Sequence, residues 1–286
     1  FEGLVIENKT NKGKVSVDKP TLLEFDNALC RKLLLYSQIQ KTISTYTTGF
    51  RKYISADGIL RTHYNYALTE SSRLSSSGPN FQNVTSKNIY SNLIKKQFRA
   101  REGYMVVEGD YQQIELRLIA SYAQERKMIE AYKKDVDIHA LTASHLYNIS
   151  VEKITKEQRF FGKTCNFGLV YGAGPKRFRQ SALEGGVNIS IKEAKTLHKA
   201  FFQAYPGLKK YHADIEEFVL KHGYIETNFG FRRYLPQVYT GNRYEQANAF
   251  RIAYNHPIQG SAAGILFEAL IRVRKALRGT EGRLLS

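Results

Sequence analysis

Apolar residues recur at helical spacing over most of the chain. From Pro20 onwards they form one stripe, which predicts a single long amphipathic helix. Its apolar members are Leu22, Leu23, Phe25, Leu29, Leu33, Leu34, Ile39 and Ile43. Two further helices are predicted within residues 191–220, separated by Tyr205-Pro206-Gly207, and a last apolar helix is predicted to run to Leu277.

Three stretches have the pattern of β-structure. Residues 49–66 carry short β-type runs around an Asp57-Gly58 turn, and residues 223–236 alternate in polarity, so each predicts a hairpin. Residues 104–109 predict a buried strand that ends on Asp110, and a helix is predicted to begin at Tyr111.

Arg159, Lys163, Phe167 and Tyr171 stand at every fourth position. On an α-helix each step of four residues turns by only about 40°, so these side chains lie along one side, over roughly 18 Å. Two cations followed by two rings suit a ligand with a charged end and a flat end, such as a nucleoside triphosphate. The alternative is a solvated basic turn that leads into a core-facing aromatic turn.

Acidic and polar residues add further candidates. Asp110, between a strand and a helix, is either a helix cap or a ligand for a hard divalent cation, and Glu115 would project near anything bound there. His139 opens another predicted helix and can be an ordinary partly buried histidine. Residues 73–83 form a polar loop that is either a surface turn or a set of contacts to sugar edges and phosphates.

The chain carries a large excess of positive charge. Its 286 residues include 43 Lys and Arg against 26 Asp and Glu, a formal net charge of +17. A polyanion is the natural partner for this excess, with a generic basic protein as the alternative. Lys9, Lys12 and Lys14 are most simply surface charges, with phosphate contact as the alternative.

The remaining composition excludes several classes of protein. The length of 286 residues allows two or three lobes, and a hydrophobic content of 42% indicates a folded chain. The sequence contains no run of about 18 apolar residues, so no membrane span is expected. Cys30 and Cys165 are too few for a disulfide framework or a cysteine metal site, and a reducing compartment fits. Cys165 is expected to pack on the back of its helix.

Asp110-Tyr-Gln-Gln-Ile-Glu115-Leu-Arg117 resembles the first catalytic motif of the bacterial DNA polymerase I family, family A. Arg159, Lys163, Phe167 and Tyr171 match the nucleotide-binding helix of that family. Further segments match in the same order: Arg73-Leu-Ser-Ser with Pro79-Asn80 and Gln82-Asn83, Gly223 to Pro236, and Arg251 to Gln259. The resemblance covers nearly the whole chain.

The resemblance implies an α+β fold of the right-hand polymerase type, with an antiparallel-sheet palm, helical fingers and a partial thumb. The implied boundaries are 1–47 for the partial thumb, 48–118 for the first part of the palm, 119–228 for the fingers and 229–286 for a truncated second part of the palm. It also implies action in the bacterial cytoplasm, as a cellular protein or a phage protein.

The implied reaction is template-directed transfer of a deoxynucleotide to a primer 3′-hydroxyl, with release of pyrophosphate. Two Mg²⁺ ions would be held by Asp110 and the backbone carbonyl of Tyr111. The implied catalytic residues are Asp110 and Lys163, and Lys163 is the implied proton donor to pyrophosphate. The implied nucleotide-binding residues are Arg159, Lys163, Phe167, Tyr171, His139, Glu115 and Gln113.

Two of these positions imply substrate choice. Glu115 matches the steric gate that excludes a ribose 2′-hydroxyl, and Phe167, where some relatives have Tyr, implies poor use of dideoxynucleotides. The implied DNA contacts read the minor groove of the new pair or bind phosphates. They are Arg73, Asn80, Gln82, Asn83, Arg251, Asn255, Gln259 and Arg232.

The sequence departs from the family pattern in three places. Gln112 stands where the family usually has Ser. The loop before Arg73 reads Thr69-Glu70-Ser71-Ser72 where the family usually has Thr-Gly, and the loss of that glycine reduces backbone flexibility. The His-Asp-Glu triplet that supplies the second metal-binding carboxylate does not occur, so Asp110 has no evident partner and two dications would be poorly offset.

We therefore expect the chain alone to be inactive or nearly so. Both ends, at Phe1 and Ser286, are expected to be cuts in a longer, split or interrupted protein. The expected partners are primer–template DNA, dNTPs and a complementary polymerase fragment that carries the missing motif. No association with a membrane is expected.

Two other functions stay open. A single-subunit RNA polymerase shares the palm chemistry, although Glu115 and the segment Arg251–Gln259 argue against it, and comparing dNTP with NTP incorporation discriminates. A non-catalytic DNA-binding fragment predicts salt-sensitive primer–template binding that Asp110→Asn does not change, without metal-dependent extension.

Overall fold

Capping side chains set the starts of several helices. The computed structural model describes residues 13–15, 17–25, 27–84 and 89–284. Side-chain oxygens accept hydrogen bonds from first-turn backbone N–H groups, which the helix itself leaves without partners. These caps are Asp18, Asn27, Glu125, Asp137, Thr155, Ser190 and Asn242.

The chain divides into two compact units. The first comprises the described parts of Phe1–Asn65 and Ser75–Asp110, and the second comprises Tyr66–Leu74 and the described part of Tyr111–Ser286. Lys9 and Lys12, considered above as surface charges, lie outside the described residues, and Lys14 is exposed.

The first unit begins with two helices where the sequence predicts one. Helix α1 is Lys19–Leu23 and α2 is Ala28–Thr42, which continues through the π-helical segment Ile43–Thr48 into α3, Gly49–Arg51. The single-helix prediction is wrong because the Asn27 side chain accepts from the Leu29 N–H at 2.7 Å and so starts a new helix.

The predicted hairpin in residues 49–66 is only partly present. Its Asp57-Gly58 turn is closed by a single bridge between Ile54 and Leu60, whereas residues 49–51 are helical. Strand β1, His63–Asn65, instead pairs antiparallel with β2, Ser75–Ser77, and His63 lies opposite Ser77. The rings of Tyr46, Phe50, Phe81 and Phe98 pack against one another in this unit, which also contains α4, Ile89–Lys95.

The prediction of a buried strand at 104–109 is wrong. These residues form no regular element, and all of them are exposed, with Met105 and Val107 each 83% exposed. A strand is stable only when its backbone N–H and C=O groups are paired. No described strand of the first unit pairs with this segment, so its apolar side chains stay uncovered.

The second unit is built mainly from helices. They are α5 Ile114–Tyr122, α6 Arg126–Lys133, α7 Ile138–Tyr147, α8 Lys156–Leu169, α9 Pro175–Glu184, α10 Ile191–Ala204, α11 Pro206–His222 and α12 Arg243–Ala276. The predicted pair of helices around Tyr205-Pro206-Gly207 is confirmed as α10 and α11. A continuous core that includes Phe161, Phe178 and Phe201 joins these helices.

The predicted hairpin at 223–236 is confirmed. Strand β3, Tyr224–Glu226, pairs antiparallel with β4, Arg232–Tyr234. Helix α12 is longer than predicted: it starts at Arg243, includes Pro257 in its interior and takes in residues 251–259. Its Gly260 lies so near the residues after β3 that a Cβ there would lie 2.5 Å from the Thr227 methyl carbon.

The described residues thus combine many helices with two small antiparallel sheets, as the α+β prediction states. Among them, no helix has both the length and the apolar character that crossing a bilayer requires.

Helices α7 and α8 approach each other closely at Gly162. A Cβ at this position would lie 2.2 Å from the His139 carbonyl oxygen and 3.1 Å from the Ala143 nitrogen, and both are backbone atoms that cannot turn away. Gly168 lies in the same helix, but a Cβ there would have its nearest neighbour at 3.8 Å, a ring carbon of Phe178.

We expect Gly162→Ala to lower the free energy of unfolding by about 1–3 kcal/mol because the two helices must separate. Gly168→Ala is the matched control and should be neutral or stabilising by about 0.5–1 kcal/mol, since Ala favours the helix. Urea unfolding followed by circular dichroism measures both, and equal stability of the two variants would contradict the close approach.

Candidate functional site

Helix α8 presents a charged and aromatic face to solvent. A reciprocal pair of hydrogen bonds between Thr155 and Gln158 caps its start. Phe161, Cys165 and Leu169 point into the core, which confirms the expectation for Cys165. Arg159, Lys163 and Phe167 stand on the opposite side, all exposed.

The two rings of this row differ in exposure, because Tyr171 is partly buried against the core whereas Phe167 is exposed. Its side chain is 43% exposed, so it is not a core-facing ring. The Lys163 Nζ lies over the Phe167 ring, 5.9 Å from its centre, so a cation accompanies this exposed ring.

Tyr171 was predicted to lie on the same helical face, but it lies beyond the end of the helix. Helix α8 ends at Leu169, and Gly172 adopts φ +76°, a left-handed turn that favours glycine. The Tyr171 hydroxyl donates to Glu115 Oε2. Burial raises the pKa of Tyr171 to about 12, so this hydroxyl keeps its proton at neutral pH.

Glu115 joins two of the predicted contacts. Its other oxygen, Oε1, forms an ion pair with Arg73. The side chain of Glu115 is mostly buried, in the first turn of α5. Residues from three distant stretches of the second unit, Arg73, Glu115 and Tyr171, thus meet at one carboxylate, which neither the helical spacing nor the motif order reveals.

Helix α7 adds two groups beside the face of α8. Asp137 caps α7 by accepting from the N–H groups of His139 and Ala140, at 2.8 and 3.1 Å. Its second oxygen accepts from Arg159 Nε at 2.6 Å. Partial burial by itself would raise the pKa of Asp137, but the bonds from Arg159 and the two backbone N–H groups lower it below its usual value.

His139 is buried beneath this face and lies 5.9 Å from the Phe167 ring, centre to centre. Burial lowers the pKa of His139 to about 4, with Arg159 and Lys163 acting in the same direction and Asp137 against it. The imidazole is therefore neutral at physiological pH.

A second face lies along α12. Arg251, Asn255 and Gln259 follow at intervals of four and, together with Tyr171, line a cavity of about 350 Å³. The Asn255 Nδ2 donates to the Arg251 carbonyl at 2.8 Å. All these residues belong to the second unit.

The other predicted contacts have partners within their own units. Gln113, in a left-handed conformation at φ +54°, accepts from the Tyr132 hydroxyl at 3.1 Å, and Arg232 pairs with Glu226. In the first unit, Asn80 Oδ1 accepts from the Ser76 hydroxyl at 2.9 Å. The Gln82 N–H lies 3.3 Å from the same hydroxyl, and the Asn83 carbonyl accepts from Tyr46.

Asp137 and Asn166 lie beside the predicted site residues but were not predicted among them. Asp137 carries a signal, a carboxylate two positions before His139 at a helix start. Asn166 is a fully buried amide on the inner side of α8 and contacts His139. A polar residue at a core-facing position next to Phe167 is the pattern that would have identified it.

Comparison with known proteins places this arrangement in a family. The model of the family described as DNA polymerase family A matches residues 1–285. The chain belongs to this family. A solved structure, the POL domain of Pol1 from M. smegmatis in complex with DNA primer-template and dNTP, has a TM-score of 0.85 at 31% identity, over 94% of this chain and 47% of that chain. The similarity confirms the predicted α+β polymerase fold.

Two curated relatives are similar over most of the chain. DNA polymerase I of Streptococcus pneumoniae (strain ATCC BAA-255 / R6) is 38% identical over 280 residues, 96% of this chain and 31% of that protein. DNA polymerase I of Treponema pallidum (strain Nichols) is 35% identical over 270 residues, 94% of this chain and 27% of that protein. The chain thus spans less than a third of the length of each of these relatives.

Family A polymerases generally use divalent metal ions. In the described part of this chain, no three His, Cys, Asp or Glu side chains come together in a group that could hold one. Asp110 is exposed, as is Tyr111, and Glu115 is already engaged by Arg73 and Tyr171. One carboxylate and one backbone carbonyl do not fit a two-ion site by themselves.

The lowered pKa of His139 predicts a pH dependence of stability. In the unfolded chain the pKa of this histidine is its ordinary value of 6.5, and burial lowers this pKa to about 4 in the folded chain. Between these values the unfolded state binds more protons, so His139 makes stability fall as pH falls from about 6.5 to 4.

We expect His139→Gln to reduce the loss of unfolding free energy between pH 7 and 5, by on the order of 1 kcal/mol. His222→Gln, at the exposed end of α11, is the control and should keep the wild-type slope. Urea unfolding at several pH values measures the effect, and identical slopes for wild type and His139→Gln would contradict the neutral assignment.

Proposed function

We propose that this chain binds the incoming nucleotide and the primer–template for a family A DNA polymerase, which adds deoxynucleotides to a primer 3′-hydroxyl. The observation that carries the proposal is the solvent-facing row of Arg159, Lys163 and Phe167 on α8, in a chain of this family. The M. smegmatis POL domain, similar over 94% of this chain, was solved with DNA primer-template and dNTP, which supports both ligands.

Charge and spacing assign roles along α8. Arg159 and Lys163 are about 6 Å apart along the axis, a separation that suits neighbouring phosphates of a triphosphate. Phe167, one turn further on, would stack on the sugar and base, and Lys163 would pass a proton to the departing pyrophosphate. In the transfer, the primer 3′-oxygen bonds to the α-phosphorus as the bond to pyrophosphate breaks.

Glu115 and Tyr171 would form the wall of the sugar and base site. The ion pair to Arg73 and the hydrogen bond from Tyr171 hold the Glu115 carboxylate in one position. A fixed carboxylate leaves little room for a ribose 2′-hydroxyl, so Glu115 is the proposed steric gate. Gln113, at the start of the same helix, is the adjoining nucleotide contact.

The proposed DNA contacts fall into two groups. Arg73, Arg251 and Gln259 would test the shape of the new pair in the minor groove, where correct pairs share acceptor positions. The other contacts would bind sugars and phosphates, supported by the formal net charge of +17. They are Asn80, Gln82, Asn83, Asn255 and Arg232.

We propose that a second segment, which carries a His-Asp-Glu motif, completes the site for two Mg²⁺ ions at Asp110 and the Tyr111 carbonyl. Two observations support this: the described residues contain no sufficient ligand group, and the segment before Asp110 leaves Met105 and Val107 uncovered. An exposed apolar segment that belongs to no described strand can pair with an added strand. The thumb, palm and fingers boundaries given above, and action in the bacterial cytoplasm, are part of the same proposal.

The absence of a sufficient ligand group among the described residues favours a second candidate, a fragment that binds primer–template without catalysis. Primer extension separates the two. We expect the chain alone to bind primer–template DNA with strong salt dependence and to extend it barely. Adding a segment of a family A relative that carries the His-Asp-Glu strand should raise extension about tenfold or more.

Asp110→Asn should abolish that gain and leave DNA binding within about twofold, since an exposed carboxylate contributes little to binding a polyanion. Fluorescence anisotropy with labelled primer–template measures binding. A chain that extends primers vigorously without the added segment would contradict the need for a second carboxylate source, and no gain on addition would favour the non-catalytic function.

In the same complemented assay, Glu115→Ala should increase ribonucleotide incorporation relative to deoxynucleotide incorporation by about tenfold or more, because the gate is removed. Glu152→Ala, an exposed carboxylate in the second unit, should leave the ratio unchanged. A wild-type chain that prefers NTPs would instead support the RNA polymerase alternative.

A further inference from the structure

A chain of buried polar groups runs behind the face of α8. Asn166, Thr142 and Tyr205 are each 0% exposed, and His139 is 3% exposed. The Thr142 hydroxyl lies 2.9 Å from Asn166 Oδ1 and 2.8 Å from the Tyr205 hydroxyl, and Asn166 Nδ2 lies 3.0 Å from His139 Nδ1. Buried groups of this kind are retained when each has a partner.

The orientation of the Asn166 amide follows from its surroundings. Its Nδ2 also lies 3.4 Å from the Ile138 carbonyl oxygen, which can only accept. Turning the amide over would bring two acceptor oxygens together and leave that carbonyl without this donor. One N–H of Asn166 therefore points to Ile138 and the other to His139.

This orientation determines where His139 carries its proton. Because Nδ1 accepts from Asn166, it has no proton of its own, and the ring proton lies on Nε2. His139 makes no other side-chain hydrogen bond with the described residues, so Nε2–H has no partner among them.

The charges around His139 agree with a neutral ring. Asp137 lies at the start of its own helix, and Arg159 and Lys163 face it from α8. Asp137 is already bonded to Arg159 and to two backbone N–H groups. A third cation beside Arg159 and Lys163 would be repelled, and burial would add to its cost.

The far end of the chain supplies donors in the same direction. Burial raises the pKa of Tyr205, so its hydroxyl keeps its proton and can donate it to Thr142. The Thr142 hydroxyl can then donate to the Ile138 carbonyl oxygen at 2.8 Å or to Asn166 Oδ1 at 2.9 Å. Donation to Asn166 agrees with the Asn166 N–H groups being the donors towards α7.

We propose that Asn166 is a positioning residue that holds His139 as the neutral Nε2–H tautomer, so that His139 donates a hydrogen bond to a phosphate oxygen without adding a third charge. The phosphate part rests on the proposed function. Arg159 and Lys163 then supply the charge, and His139 supplies direction. The charge of His139 then stays the same from pH 6 to 8, so the affinity for the departing pyrophosphate does not increase at lower pH.

The test uses the full chain labelled with ¹⁵N in histidine, with His139→Gln to assign the signals. In the wild type, we expect His139 to show one protonated nitrogen, Nε2, and one unprotonated nitrogen, Nδ1, from pH 5.5 to 8. Asn166→Asp places a carboxylate opposite Nδ1, which should draw a proton there, so both nitrogens should be protonated at pH 7.

Asn148→Asp is the matched control, because it makes the same chemical change at an exposed position at the other end of α7 and should keep the wild-type signals. Circular dichroism checks that each variant is folded. The wild-type spectrum alone tests the tautomer if Asn166→Asp fails to fold. A proton on Nδ1, or a doubly protonated ring at pH 7 in the wild type, would overturn the proposal, as would unchanged His139 signals in folded Asn166→Asp.

Binding of dNTP gives the second readout. Between pH 5.8 and 7.8 the wild-type dissociation constant should change by less than about twofold, whereas Asn166→Asp should bind about fivefold more tightly at the lower pH than at the higher. If His139→Gln binds dNTP as the wild type does, the phosphate contact is overturned. A wild-type chain that binds no dNTP would contradict the proposed function instead, and the nitrogen signals would still decide the tautomer.

Discussion

The candidate site depends on the close packing of α7 against α8 at Gly162. Without a side chain at that position, the backbone of α7 comes within contact of α8, and His139 and Asp137 reach the residues on its exposed face. The buried sides of both helices supply the stability, and the exposed side of α8 is left for a ligand. A rigid pair of helices holds polar groups more firmly than a loop does, which suits the proposed role of positioning phosphates.

Charge in this site is balanced locally even though the whole chain is strongly basic. Asp137 holds Arg159 through Nε, so the Nη groups of that guanidinium stay free of this pairing and can face a phosphate. Glu115 is held by Arg73 and Tyr171, and His139 is neutral. The excess positive charge of +17 can therefore attract a polyanion at long range, while the paired groups fix geometry at short range.

The elements that were predicted correctly are those whose stability is local. The hairpin at 223–236 and the two helices around Tyr205-Pro206-Gly207 have turn residues and periodic apolar positions within a few residues of one another. The predicted strand at 104–109 has the right residues for a sheet but no pairing strand among those described in its unit. Strand formation needs a distant partner, and apolar composition cannot supply one.

The sequence by itself identified the family, the four-residue spacing of Arg159, Lys163 and Phe167, and the candidate carboxylates, because motifs and helical spacing can be read along the chain. The exposure of that row came from the structure, because it depends on which side of α8 packs into the core. Only the tertiary structure placed Tyr171 and Arg73 on Glu115, and Asn166 on His139. These contacts join residues that are 27 or more positions apart in the chain, so they depend on how helices pack. The direction of a hydrogen bond and the proton it fixes follow from that packing and cannot be derived from spacing along one helix.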